Sequence, residues 1–188
     1  MVFRFFVLVV YRFGSYAVVR ILGLDPGSRL TGFGVIDVIK GKGVYVASGS
    51  IQATATDLAT RLKTIFDGVA EVVRIYEPTE LAIEQVFMYR NADSALKLGQ
   101  ARGAALSAAV TSGLVVAEYM PARIKQAVVG RGNATKEQVQ HMVRLLLALP
   151  AAPGPDAADA LAVALCHCHS SHGIGALGVT KKQSRRQQ

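Results

Sequence analysis

The sequence predicts a single α/β domain, a five-stranded mixed sheet flanked by helices. Short apolar runs bounded by glycines alternate with longer segments in which apolar residues recur every three or four positions. The first three runs are separated only by glycine-rich breaks, which predicts a meander, whereas the later runs alternate with helical segments. A chain of 188 residues, of which 51% are hydrophobic, is long enough to bury one core. This order is typical of a mixed sheet covered by helices.

The strands are predicted from apolar runs that end at turn-forming residues. The first, Ile21 to Leu24, is followed by Asp25 and the turn formers Pro26 and Gly27. Two glycine-containing runs complete the meander, and two further apolar runs supply the remaining strands. The predicted strands are residues 19–24, 31–36, 43–49, 81–84 and 114–118.

The helices are predicted from apolar spacing, caps and prolines. Pro78 ends the first helix, and Asn91 is a candidate cap for the second. Thr135 and Gln138 have the spacing of a capping box. The predicted helices are residues 57–76, 91–111, a short segment after Pro121, 135 to about 150, and about 156–170.

Charge is unevenly distributed along the chain, and this bears on its partners. The net charge is +8, of which the tail residues 181–186 contribute four positive charges. Residues 90–144 form a basic band with eight basic and three acidic residues. Such a band indicates either a polyanion-binding surface or an ordinary solvated face, and charge alone favours neither.

The two ends of the chain differ from the domain between them. Residues 1–18 are an apolar extension that is too short to span a bilayer. They are either a start assigned too far upstream, which we favour, or a signal peptide. A single folded domain is predicted over residues 19–172. Residues 173–188 form a basic tail whose composition predicts disorder.

Four carboxylates stand at the ends of predicted elements. Asp25 and Glu84 each end a strand, and Asp156 and Asp159 open the last helix on one face. Open α/β sheets place their chemistry at the carboxyl ends of strands, and acids meeting there need cations between them. A pair of hard divalent cations is the standard apparatus for phosphodiester cleavage. The alternatives are a turn former for Asp25, a helix N-cap for Asp156 and a first-turn charge for Asp159.

Several ordered motifs resemble those of one nuclease family. They are LGLDPGSRLTG at 22–32, AIEQVF at 82–87, NADSA at 91–95, KLGQARG at 97–103, KQAVVG at 125–130, QVQHMV at 138–143 and DAADALA at 156–162. Together they resemble the RuvC Holliday-junction resolvases, which have a ribonuclease H-like fold. The resemblance covers about residues 19–170, and no catalytic position of the family is missing.

The resemblance implies a Mg²⁺-dependent endonuclease that acts as a homodimer on four-way junction DNA. It implies two Mg²⁺ ions per active site, for which Mn²⁺ can substitute. Asp25 would bridge both ions, Glu84 would complete one site, and Asp156 with Asp159 would complete the other. Products would be nicks with 5′-phosphate and 3′-hydroxyl ends. The RuvA–RuvB branch-migration complex is the implied partner, and the implied location is cytoplasmic, with no membrane role.

The same resemblance suggests residues that contact DNA. It places Lys125 and Lys136 near the phosphate backbone at the cleft, where Lys136 would act in catalysis, although most lysines are simple surface charges. It implies that Phe87 is a wedge that stacks on a base, with Tyr89 assisting, whereas the alternative is a core role. Arg131, in a glycine-containing loop, is a further candidate for phosphate binding.

Other features leave alternatives open. Gly99 and Gly103 indicate either tight packing on the sheet or a dimer interface. Residues 166–169 alternate Cys and His and, with His172, invite a zinc interpretation, but neighbours on a helix fan apart, which favours buried cysteines and surface histidines. The rival functions are another ribonuclease H-like nuclease, which cuts RNA–DNA hybrids or a different branched substrate, and a catalytically silent junction-binding protein.

Overall fold

The computed structural model describes residues 18–86 and 92–172. Within these residues the predicted order of strands and helices is confirmed. The expectations for the apolar extension, Phe87, Tyr89, the Asn91 cap and the basic tail lie outside the described residues, except for Val18 of the extension. No helix in the described part of the chain has the length and apolarity needed to cross a bilayer.

Five strands and five α-helices make up the described structure. The strands are β1 (Val19–Asp25), β2 (Leu30–Ile39), β3 (Lys42–Gln52), β4 (Glu80–Glu84) and β5 (Val115–Tyr119). The helices are α1 (Leu58–Tyr76), α2 (Ala92–Thr111), α3 (Pro121–Val129), α4 (Lys136–Leu146) and α5 (Pro155–His167). A five-residue π-helix, Cys168–His172, continues directly from α5.

The sheet is mixed, with the strand order β3-β2-β1-β4-β5. The first three strands form the predicted antiparallel meander, whereas β1, β4 and β5 run parallel to one another. The carboxyl ends of the three parallel strands therefore meet at one edge of the sheet. Asp25 and Glu84 are the last residues of β1 and β4 at that edge.

Each face of the sheet is covered by its own set of helices. One core cluster joins α1 and α2 to strand residues that include Leu22, Leu24 and Ile83. The second joins α3, α4 and α5 to strand residues that include Ile21 and Ala82. Because successive strand residues point to opposite faces, Asp25 and Glu84 lie on the face that α5 covers.

Helix α5 lies unusually close to the sheet because three glycines face it. A Cβ atom on Gly23 would meet the backbone of Ala160 and come within 2.8 Å of the Ala164 nitrogen. A Cβ on Gly32 would collide with the backbone of Asp156. Gly34, the register partner of Gly23, lies under Leu161. We refer to Gly23, Gly32 and Gly34 as the glycine platform.

The caps explain most boundaries and correct two of them. Thr135 caps α4 with the predicted box, because its side chain accepts from Gln138 N while the Gln138 side chain accepts from Thr135 N. α4 ends at Leu146 rather than near residue 150, since Ala148 has a positive φ of 50°. The last α-helix ends at His167 rather than near residue 170, because the chain widens into the π-helix there.

Gly23→Ala should destabilise the protein by about 1–3 kcal/mol, because the added methyl group meets helix backbone that cannot rotate away. Gly154→Ala is the control, since a Cβ there meets nothing within 4 Å and the φ of −57° is open to alanine. Denaturant unfolding at one protein concentration would compare them. Equal midpoints for the two variants would contradict the close seating of α5.

Candidate metal-dependent active site

Asp25 is held at the sheet edge by a braced turn. After it, the chain turns through Pro26 and Gly27 into β2, and Asp25 lies opposite Gly32 in the β1–β2 register. The buried Thr31 hydroxyl donates to the Gly27 carbonyl at 3.2 Å, and Gly27 N lies 3.4 Å from the same hydroxyl oxygen. Asp-Pro-Gly thus forms the turn expected of it, and the turn fixes the direction in which the Asp25 carboxylate leaves the strand.

Glu84 ends β4, and its backbone is fixed by a residue that the sequence had not singled out. Arg102 of α2 donates from Nε to the Glu84 carbonyl at 3.2 Å, and its Nη2 lies 2.7 Å from Glu118 Oε2. Gln85 N also donates to the Tyr119 carbonyl at 2.9 Å. Arg102 therefore ties together α2, β4 and β5 beside the carboxylate.

Asp156 stands in the first turn of α5 and Asp159 in the second, so the interpretation of Asp159 as a first-turn charge is wrong. Gly154 is the N-cap and Pro155 is the first helical residue, so the interpretation of Asp156 as an N-cap is wrong. Proline suits that position because its missing N–H would have had no partner there. The i, i+3 spacing puts both aspartates on one side of the helix, and the backbone of Asp156 lies directly above the platform residue Gly32.

The electrostatics indicate that the four carboxylates converge. Burial, together with the neighbouring charges of Glu84, Asp159 and Asp156, raises the pKa of Asp25 to about 7 against the opposing effect of Lys136. Burial and the charge of Asp159 also raise the pKa of Glu84, while Lys136 and Lys125 oppose this. Carboxylates brought together from three elements therefore repel one another strongly.

The two lysines that were predicted to contact DNA lie near the four carboxylates. Lys136 opens α4 and its Nζ lies 3.1 Å from Asp159 Oδ2; this hydrogen bond raises the pKa of Lys136. Lys125, on α3, is near enough to Glu84 to influence its pKa. Arg131 is exposed in the loop between α3 and α4. Phe87 and Tyr89 follow the cleft residue Val86, outside the described residues.

An open cleft of about 450 Å³ lies beside the carboxylates. Its walls come from the ends of β1 and β4 and from α2 and α3. The lining residues are Asp25, Pro26, Glu84, Gln85, Val86, Leu98 and Pro121. Asp25 and Glu84 thus face a space that solvent and a substrate can enter.

These residues fit hard divalent cations. Mg²⁺ and Mn²⁺ prefer oxygen ligands, and the cluster supplies four carboxylate groups. Burial and the neighbouring acids both raise the pKa of the half-buried Asp25, so negative charge is unfavourable at this site. Divalent cations would remove that repulsion, so the site is electrostatically suited to hold them.

Comparison with known proteins identifies the family. The family model described as crossover junction endodeoxyribonuclease RuvC matches residues 21–167. The chain belongs to the RuvC family. A relative of that description from Shewanella sediminis is 61% identical over 158 residues, which cover 84% of this chain and 91% of the relative. Another, from Shewanella piezotolerans, is 59% identical over 158 residues, with the same two coverages.

Solved structures agree with this assignment. Thermus thermophilus RuvC in complex with a Holliday junction substrate has a TM-score of 0.77 and 37% identity, and covers 84% of this chain and 97% of its own. The yeast mitochondrial Holliday junction resolvase Ydc2, at 11% identity and a TM-score of 0.62, covers 90% and 87% and supports the fold alone. The chain is a metal-dependent endonuclease of the crossover junction class, and the two rival functions fall away.

The sequence interpretation of the Cys-His segment was only partly right. Cys166 and Cys168 are buried as expected, and His169 is exposed. His167 is buried, not at the surface. It bonds to Tyr119 and Glu80, which no local sequence pattern predicts.

Without divalent cations, Asp25→Asn should be more stable than the wild type at high pH. The folded-state pKa of Asp25, about 7, exceeds the ordinary value of 3.8, so the wild type loses stability as the pH rises from about 4 to 7. Asparagine has no such loss, and the difference in unfolding free energy should reach at most about 4 kcal/mol at pH 8. Denaturant unfolding in chelator at pH 4 and pH 8 measures it. If the difference in unfolding free energy between Asp25→Asn and the wild type did not grow with pH, the raised pKa of Asp25 would be contradicted.

Proposed function

We propose that the chain resolves four-way DNA junctions by two-metal-ion hydrolysis at Asp25, Glu84, Asp156 and Asp159. The observation that carries this proposal is the convergence of the four carboxylates beside an open cleft in a member of the RuvC family. Two Mg²⁺ ions are the proposed cofactors, and Mn²⁺ should substitute because it accepts the same oxygen ligands. When bound, the ions would activate water and stabilise the leaving 3′-oxygen.

The protein's own groups divide the remaining work. Asp25 ends the central strand and is electrostatically coupled to Glu84, Asp159 and Asp156, so it would contribute to both ion sites. Glu84 would complete one ion site, and Asp156 with Asp159 the other. The Lys136 ammonium, beside Asp159, would neutralise a non-bridging phosphate oxygen as charge develops there. The nicks would carry 5′-phosphate and 3′-hydroxyl ends.

We place the DNA along the basic band of residues 90–144. Lys125 and Arg131 belong to that band: Lys125 lies on α3 near Glu84, and Arg131 is exposed in the loop that follows α3. Phe87 and Tyr89 continue the chain from Val86, a cleft residue, and are proposed to stack on bases at the crossover. The RuvA–RuvB complex is the proposed partner and the cytoplasm the proposed location. The functional unit is proposed to be residues 19–172, without the end segments 1–18 and 173–188.

We propose a homodimer formed through α2. Gly99 and Gly103 are exposed and a Cβ on either would meet nothing within 4 Å, so tight packing on the chain's own sheet does not explain them. Leu96 and Val110, 64% and 56% exposed, continue the same stripe at helical spacing. A second copy of the chain would bury this stripe and set two active sites on opposite strands of a two-fold junction.

Asp25→Asn should abolish nicking of a synthetic four-way junction while largely sparing junction binding. The change removes one negative ligand and leaves the basic band intact. Asp67→Asn is the control, because Asp67 is an exposed α1 carboxylate paired with Lys63. Nicking in Mg²⁺ and gel-shift affinity would be measured on the same preparations. Near-normal cutting by Asp25→Asn would remove this residue from the metal site.

Lys136→Ala should slow cleavage by about 10²–10³-fold at saturating DNA, the usual effect of removing a group that stabilises developing charge. Lys63→Ala is the matched control, since Lys63 also pairs with an aspartate but lies on α1, outside the cleft. Single-turnover rates would separate chemistry from binding. Equal rates for the two variants would reduce Lys136 to a surface charge.

Leu96→Glu should convert the dimer to a monomer and abolish paired nicking, because a charge placed in an apolar interface loses its hydration. Leu145→Glu is the control, a similarly exposed leucine on α4. Light scattering gives the mass, and a plasmid with an extruded cruciform separates single nicks from linearisation. A dimeric Leu96→Glu protein that linearises the plasmid would show that the α2 stripe is not the interface.

A further inference from the structure

A second cluster of ligating side chains lies away from the carboxylate site. Glu80, His167 and His172, which we call the histidine cluster, present three ligand atoms that all lie within 4.8 Å of one another. His167 Nε2 is 2.7 Å from Glu80 Oε2, and His172 Nε2 is 2.9 Å from the same oxygen. Three ligand atoms this close together could enclose a single ion.

The histidine cluster and the active site lie at opposite ends of the same two elements, β4 and α5. Glu80 begins β4, whereas Glu84 ends it, and both side chains point to the α5 face of the sheet. His167 ends α5, eight residues beyond Asp159, which corresponds to about 12 Å of helix. The two sites are therefore separate, and one can be changed without touching the other.

The π-helix brings the two histidines together. His167 and His172 are five residues apart, and in a regular α-helix such residues point about 140° away from each other. The wider turn over Cys168–His172 reduces that angle, and the two imidazole rings lie with centroids 5.8 Å apart, edge to face. Single π-turns are uncommon and occur frequently at functional sites.

The surroundings of His167 resemble the outer shell of a metal site. Its ring is buried, and its Nδ1 lies 2.6 Å from the Tyr119 hydroxyl and 3.3 Å from Ser171 Oγ. Histidine ligands usually hydrogen-bond through the nitrogen that does not face the metal, which fixes the ring and its tautomer. Nε2 of His167 is thereby directed at the cluster.

The cysteines of the same segment do not take part. Cys166 Sγ points to the Arg123 carbonyl at 3.8 Å, and Cys168 Sγ to the Gly41 carbonyl at 4.0 Å. His169 points to the Ala127 carbonyl through Nδ1 at 3.1 Å. Only His167 and His172 of this segment face Glu80, so the donor set is two imidazoles and one carboxylate.

We propose that Glu80, His167 and His172 bind a late first-row divalent ion, with Zn²⁺ the best fit. Two histidines and a glutamate form a known three-ligand set for Zn²⁺, with bonds of about 2.0–2.2 Å. Tetrahedral bonds of that length place ligand atoms about 3.3 Å apart, so the two present contacts need to widen by about half an ångström. Glu80 and His172 remain partly exposed, which leaves a fourth position for water.

The ion would fasten the end of α5 to the start of β4. The alternative is a hydrogen-bonded network in which Tyr119 donates to His167 and both Nε2–H groups donate to Glu80. The hydrogen-bonded network requires a proton on the Nε2 atom of each histidine. In the metal site, neither Nε2 atom can carry a proton. The two therefore predict opposite results when Zn²⁺ is added.

Calorimetric titration of the full chain with Zn²⁺, in excess Mg²⁺, separates these possibilities. Mg²⁺ occupies oxygen sites but competes poorly for imidazole. The wild type and His169→Ala should each bind one Zn²⁺ per chain at this site, and Cys166→Ser should do the same. His172→Ala and the near-isosteric Glu80→Gln should bind about tenfold more weakly or worse, and Tyr119→Phe should weaken binding by about 10–100-fold.

A second readout is thermal unfolding with and without Zn²⁺. Binding to the folded state alone should raise the melting temperature of the wild type and His169→Ala but not of His172→Ala or Glu80→Gln. If His172→Ala folds poorly, the near-isosteric Glu80→Gln variant still tests whether the cluster binds Zn²⁺. No saturable Zn²⁺ binding by the wild type, or equal binding by His172→Ala and His169→Ala, would overturn the proposal and leave the hydrogen-bonded network.

Discussion

The contact on which the active site depends is the seating of α5 on the glycine platform. Gly23, Gly32 and Gly34 have no side chains, so the helix backbone lies directly on β1 and β2. Gly32 is the register partner of Asp25 and also underlies the backbone of Asp156. Gly32 therefore sets the distance between Asp25 and Asp156. A sheet with ordinary side chains there would hold the helix farther away and separate the acids.

The close approach of α5 to the sheet brings negative charges together, and the neighbouring lysine offsets their repulsion only in part. Burial and the neighbouring acids raise the pKa of Asp25 to about 7, and Lys136 offsets only part of the repulsion. The domain can remain folded despite this repulsion because two apolar cores, one on each face of the sheet, stabilise the rest of it. Strain confined to a functional site and supported by a regular scaffold is a common arrangement in enzymes. The bound cations would turn that repulsion into attraction.

Local patterns predicted the elements and the acids, because each signal lies within a few residues. The 3.6-residue spacing in α1, the box at Thr135 and Gln138, and the acids after β1 and β4 are all of this kind. The platform depends on strand register, the Arg102–Glu118 pair on the approach of α2 to β5, and the Glu80–His172 contact on residues 92 positions apart. A π-helix after α5 has no comparable sequence signal, so the histidine cluster emerged only from the fold.

Anomalous diffraction from crystals soaked in Mn²⁺ tests the central claim most directly. The account predicts two anomalous peaks among Asp25, Glu84, Asp156 and Asp159, with Asp25 contacting both ions. In Gly32→Ala crystals, the peak beside Asp156 should weaken, because the added methyl group displaces the start of α5. A wild-type crystal with no peak inside the carboxylate cluster, or with ions that do not contact Asp25, would contradict the account.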